Sequence, residues 1–170
     1  LPLPAESPQL RLVTYNVHGC RGTDGRLSVS RVGDVLAACE ADLIVLQELD
    51  VGRSRSEQGH QPEEIAARLG MHFVFCPTVS RGKEHYGHAV LGRRPLRGVR
   101  SEALPRTSWP RPAELRGALW VEAAIGHRTL QIIGTHLGLA PWERWMQVEV
   151  LLGARWIGAP EFVGPRVVCG

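Results

Sequence analysis

The sequence predicts an α/β (α+β) chain in which two β-sheets pack face to face with helices outside. Three observations carry this. Leu43 to Leu46 is an unbroken apolar run that leads into Gln47 and Glu48, which suits a strand covered on both faces. Arg116 to Ile125 and Arg128 to Gly134 flank Gly126-His127, the pattern of a hairpin. Helical spacing is concentrated towards the two ends of the chain, around Val32 to Cys39 and Trp142 to Ile157. Hairpin-paired strands between helices suit a two-sheet sandwich better than a single parallel sheet.

The elements follow in order. Residues 1 to 9 read as a Pro-rich disordered lead, and residues 10 to 170 as one domain. A first strand spans Leu10 to Val17, followed by a glycine-rich loop at His18 to Gly22. Ser28 or Ser30 can cap a helix running to Glu40, with Val32, Val35, Leu36 and Cys39 on one face. The buried strand then ends near Asp50, and Asp50 to His60 reads as a polar loop in which Arg53 and Arg55 are solvated. Pro62 to Leu69 forms a helix, with Pro in its first turn and Gly70 as its stop. Met71 to Cys76, Tyr86 to Gly92 and Val99 to Leu104 are strands, the first two separated by a charged turn at Arg81 to Glu84. Pro105 to Pro112 is a surface loop. After the hairpin comes the helix from Trp142 to Ile157, where Trp142, Trp145 and Trp156 read as core or helix-packing residues. A last strand begins near Pro165.

At 170 residues with 44% hydrophobic content the chain can bury a sizeable core. The formal charge of +3 comes from 20 basic against 17 acidic residues. That excess permits an anionic substrate but does not by itself argue for nucleic acid. Nearly all the cations are Arg, which suits bidentate contact with phosphate. Cys20, Cys39, Cys76 and Cys169 are widely spaced and read as reduced thiols, two of them core. No apolar run approaches a membrane span. A monomer is expected, and the compartment is open with cytoplasm favoured.

Three strands end on polar groups suited to one site. RLVTYN closes on Asn16, LIVLQELD carries Glu48, and LQIIGTH closes on His136. Glu48 can supply a carboxylate to a hard cation such as Mg²⁺, which takes one or two carboxylates plus waters and substrate phosphate. Asn16 can offer an amide oxygen or an amide donor beside it. His136 can donate to a phosphate oxygen or stabilise charge developing there. His18 and Arg21 follow the first strand within reach of such a site. Cys20 and Cys169 fall near it, without the cationic setting that makes a reactive thiolate.

TYN at Thr14 to Asn16, LQE at Leu46 to Glu48, YGHAVL at Tyr86 to Leu91, RGALWVE at Arg116 to Glu122 and GTHL at Gly134 to Leu137 resemble, in order, the motifs of the endonuclease/exonuclease/phosphatase superfamily. The similarity is greatest to its bacterial metal-dependent hydrolases. The resemblance implies a four-layer sandwich of two packed mixed β-sheets flanked by helices. It also implies phosphoester hydrolysis by metal-activated water, with Mg²⁺ or Mn²⁺ as cofactor. The substrate would be a nucleic acid or a phospholipid or phosphoinositide head group. By the same resemblance Glu48 and Asn16 hold the metal, and His136 contacts the scissile phosphate. Arg116, Tyr86 and His88 line the cleft; His88 stands where the family usually has Asn. The family continues from the position of RVVCG into Asp-Phe-Asn, which carries the base, and later into an Asp-His pair. Residues 1 to 170 therefore read as the N-terminal portion of a longer domain, inactive alone. The alternative is a non-catalytic binding module that kept the fold.

Overall fold

In a computed structural model the described residues are 9–107 and 114–170. The predicted lead, apart from residue 9, and most of the Pro105 to Pro112 loop lie outside them. Eight strands and three helices follow one another: β1 (Leu12–Asn16), α1 (Val29–Ala38), β2 (Leu43–Val51), α2 (Gln61–Leu69), β3 (His72–Arg81), β4 (Glu84–Gly92), β5 (Leu96–Ala103), β6 (Gly117–Ile125), β7 (Arg128–Thr135), α3 (Pro141–Leu152) and β8 (Arg166–Cys169). Short 3₁₀ turns at His18–Cys20 and Ser54–Ser56 interrupt stretches read as loops.

The strands form two mixed four-stranded sheets, ordered β1-β2-β4-β3 and β5-β6-β7-β8. β1 pairs with β2, and β7 with β8, in parallel; the other pairings are antiparallel. The expected four layers are present. Ile44, Leu46, Ala89 and Leu91 meet Val32, Leu36, Ile65 and Ala66 of α1 and α2. Leu43, Val45 and Val90 meet Leu119, Val121 and Ile132 between the sheets. Trp120 and Ile133 pack with Leu151, Trp156 and Phe162 on the far side. β2 thus buries alternate residues on opposite faces, which is why its apolar run is continuous.

Ser28 caps α1 by accepting from the Arg31 amide, and His60 does the same for α2 from Glu63. β3 runs five residues beyond the expected Cys76, and it tolerates Pro77 because it is an edge strand with a register shift there. On α1, Val35 lies outside the buried face that the spacing gave it.

α3 differs from expectation in length and in facing. It stops at Leu152, and its buried residues are Glu143, Gln147 and Leu151. Trp142 and Trp145 are 58% and 64% exposed, and only Trp156, beyond the helix, reaches the core. Hydrogen bonding decides this. Gln147 accepts from the Gly138 amide at 2.8 Å and donates to the Pro105 carbonyl at 2.9 Å, and Glu143 accepts from the Thr107 amide at 3.3 Å. Loop backbone that must be satisfied inside the protein claims the inward face of the helix.

Candidate active site

Glu48 reaches the rim of the sandwich through a β-bulge. Leu46 pairs with Ala89 and Leu49 with Gly87, so Gln47 and Glu48 together oppose His88. Glu48 takes the extra position in left-handed backbone, at φ +63°, where a non-glycine residue costs about 1–2 kcal/mol. The bulge reverses the strand's alternation: Ile44, Leu46 and then Leu49 all face the helices. Without it the Glu48 side chain would share that apolar face. Such strain is typical of positions held for function.

Asn16 ends β1 opposite Gln47. Its Nδ2 donates to Glu48 Oε1 at 2.9 Å, and its Oδ1 accepts from the His18 amide at 2.9 Å. Gln47 fixes the same strand end by donating to Thr14 Oγ1 at 3.0 Å. His136 follows β7, with Nε2 at 3.5 Å from Glu48 Oε1. The sheets approach closely enough for this because of Gly134: a Cβ there would lie 2.9 Å from Val45 Cγ1. Three strand ends therefore bring Asn16, Glu48 and His136 to one point.

Burial, reinforced by Arg116, lowers the pKa of His136, while Glu48 and Glu114 oppose the shift. The imidazole is neutral near pH 7. Arg116, Tyr86 and His88 line a hollow with Glu48 and His136, so all the sequence-derived cleft residues converge. All three are buried. Arg116 is buried and paired with Glu114 at 3.2 Å. Tyr86 forms a buried wall whose hydroxyl is held protonated, chiefly by burial. His88 is 1% exposed, and its Nε2 has no hydrogen-bond partner. Burial first and His136 second push the His88 pKa down to about 3. The hollow around it, at about 10 Å³, is on the scale of one water.

Sequence reasoning missed Asp50 and misread two arginines. Asp50 is 1% exposed. It accepts from Arg55 Nε at 2.7 Å and Arg55 Nη2 at 2.8 Å, and from Arg53 Nη1 at 3.3 Å. Arg53 and Arg55 are therefore bound to a buried carboxylate instead of standing free in a solvated loop. Both guanidinium groups also lie over the Tyr86 ring, at 5.5 and 5.3 Å. The signal available in the sequence was the pair of Arg residues within five positions of an Asp at a strand end. His18 and Arg21 border the same hollow as Glu48. The cysteines are free. Burial pushes the Cys20 thiol up to about 12 and that of Cys169 up to about 11, so neither is a reactive thiolate.

Among the described residues a cation would meet one accessible carboxylate. The Asp50 oxygens are held by arginines, Glu114 pairs with Arg116, and Glu48 alone turns into the hollow it shares with His136. Among the described residues no three His, Cys, Asp or Glu side chains cluster around one point. One carboxylate with a neighbouring amide fits an ion such as Mg²⁺, whose other ligands are waters and substrate phosphate.

A sequence profile described as the Endonuclease/Exonuclease/phosphatase family matches residues 13–170. No curated protein is significantly similar to the chain. Among solved structures, an endonuclease/exonuclease/phosphatase from Beutenbergia cavernae DSM 12333 superposes with TM-score 0.72 at 21% identity, over 95% of this chain and 46% of its own. A family protein from Leptotrichia buccalis C-1013-b gives TM-score 0.68 at 12% identity, over 94% and 65%. D. rerio TDP2, complexed with a single-strand DNA product, gives 0.62 at 20% identity, over 94% and 58%. The chain thus spans roughly half to two-thirds of the length of these structures.

Proposed function

We propose that this chain, which belongs to the endonuclease/exonuclease/phosphatase family, forms part of a hydrolase that cleaves phosphoesters with the aid of Mg²⁺ or Mn²⁺ at Glu48. The observation that carries the reading is the meeting of Asn16, Glu48 and His136 at the ends of β1, β2 and β7, with Glu48 held on a strained bulge.

Glu48 presents its carboxylate to the cation, and the Asn16 amide fixes its orientation by hydrogen bonding to Oε1. When bound, the metal polarises the phosphoryl oxygen and lowers the pKa of a coordinated water, an effect of several kcal/mol. His136, neutral in its half-buried setting, donates an N–H to a non-bridging phosphate oxygen and strengthens that bond as charge builds. The Arg116 cation behind it supports negative charge in the same hollow. Besides Glu48, the nearby carboxylates of Asp50 and Glu114 are held by arginines. Neither is free to take the proton of an attacking water.

The substrate class is a phosphodiester of a nucleic acid or of a lipid head group. The test is hydrolysis of bis(p-nitrophenyl) phosphate in Mg²⁺ or Mn²⁺ by the full-length protein and its Glu48→Gln variant. A loss of about 100-fold or more is expected, the usual scale for removing one group that stabilises a transition state. An unchanged rate overturns the hydrolase reading.

A further inference from the structure

Beside the metal and phosphate positions lies a second hollow, of about 140 Å³, lined by His18, Gly19, Arg21, Glu48, Asp50, Arg55 and Tyr86. At roughly 10–15 Å³ per water, the scale used for the first hollow, this is the space of about ten waters, enough for a phosphate group. We propose that Arg55, braced by Asp50 and Tyr86, binds a second phosphate of the substrate, next to the scissile one. The inference rests on the hydrolase reading above and names the kind of phosphoester it takes: one that carries another phosphate within a subsite of the cleaved bond.

Three features set Arg55 apart from an ordinary surface arginine. Its Nε and Nη2 both donate to the buried Asp50 carboxylate, so the guanidinium plane is fixed before any ligand arrives. Its face lies 5.3 Å from the Tyr86 ring centre, which restrains the remaining rotation. Its Nη1 makes no hydrogen bond among the described residues and remains a free donor. Arg21 secures the backbone of the same turn, donating from Nη2 to the Arg55 carbonyl at 3.0 Å. A preordered donor loses little entropy when it binds, whereas a floppy one forfeits much of its hydrogen-bond energy.

The local charge favours an anion once a metal is bound. Among the residues lining the hollow, Asp50 and Glu48 balance Arg21 and Arg55. A divalent ion at Glu48 would leave an excess of two positive charges. The Asp50 oxygens are taken up by Arg53 Nη1 and by Arg55 Nε and Nη2, so they do not compete with a phosphate for Arg55 Nη1. Tyr86 is the wall shared by the two hollows, so a ligand bound against Arg55 is adjacent to one bound at His136 and Arg116.

The test measures binding, which needs no turnover. Thymidine 3′,5′-bisphosphate and thymidine 5′-monophosphate are titrated calorimetrically into the protein in Mg²⁺ buffer, as are inositol 1,4-bisphosphate and inositol 1-phosphate. The inference expects at least one bisphosphate to bind about tenfold tighter than its monophosphate, which corresponds to about 1.4 kcal/mol. The pair that shows the preference identifies a nucleotide strand or a phosphorylated polyol as the source of the second phosphate. In Arg55→Gln the ratio of the two affinities falls to about one. Because that change strands a buried carboxylate, the double variant Asp50→Asn/Arg55→Gln is measured alongside and gives the same ratio. Monophosphate binding with no bisphosphate preference in either pair overturns this inference alone, as does a preference that survives both variants. Absence of all phosphate binding overturns the hydrolase reading as well.

Discussion

Replacing Glu48 by alanine or by glycine separates the carboxylate from the strained backbone that carries it. At φ +63° an L-residue costs about 1–2 kcal/mol relative to the right-handed region. Glu48→Ala keeps that strain and loses the 2.9 Å hydrogen bond from Asn16, worth about 1 kcal/mol. Glu48→Gly loses the same bond but relieves the strain. The extra freedom of glycine in the unfolded chain takes back about 0.5–1 kcal/mol. The glycine variant is therefore expected near wild-type stability and about 1 kcal/mol above the alanine variant. For a chain of this size that is a Tm difference of about 3 °C. Thermal and urea melts followed by circular dichroism read it directly. If the alanine variant equals or exceeds the glycine variant, the bulge is not held at positive φ and the account of how Glu48 reaches the rim fails.

Two further predictions concern the core and the buried imidazole. Trp156→Ala should cost about 3–5 kcal/mol because the ring is 1% exposed, whereas Trp145→Ala, at 64% exposure, should stay within about 0.5 kcal/mol; similar urea midpoints for the two would contradict the packing. His88 is kept neutral in the fold down to about pH 3, while the unfolded chain protonates it near pH 6.5. The unfolded state then binds more protons as pH falls below 6.5, and stability declines by about 1.4 kcal/mol per pH unit between those values. Between pH 7.5 and pH 5 wild type should lose about 2 kcal/mol more than His88→Asn, and matching urea midpoints at both pH values would rule out the buried neutral imidazole.

The apolar run of β2 was readable because both of its faces are covered, so no polar residue interrupts it. Asn16, Glu48 and His136 were readable because each is a polar side chain at the end of a largely apolar strand, in motifs of recognisable order. The bulge was not. Gln47-Glu48-Leu49 contains no glycine to announce a left-handed residue, and only the pairing with β4 imposes it. Burial of Asp50 was hidden for a similar reason. An Asp at a strand end ordinarily faces water, and its occupancy by Arg53 and Arg55 depends on how the 50s turn folds back. On α3 the hydropathy pattern pointed to the tryptophans, while the interior took Glu143 and Gln147 because loop amides and a loop carbonyl required partners.

The central claim is that side chains from β1, β2 and the end of β7 share one divalent ion and one phosphate. Paramagnetic broadening by Mn²⁺ in NMR spectra of the protein tests it most directly, without turnover. Low Mn²⁺ should selectively broaden the Asn16 side-chain amide and the His136 imidazole signals, and Glu48→Gln should abolish the effect. Broadening centred elsewhere, or left intact in Glu48→Gln, would contradict the claim.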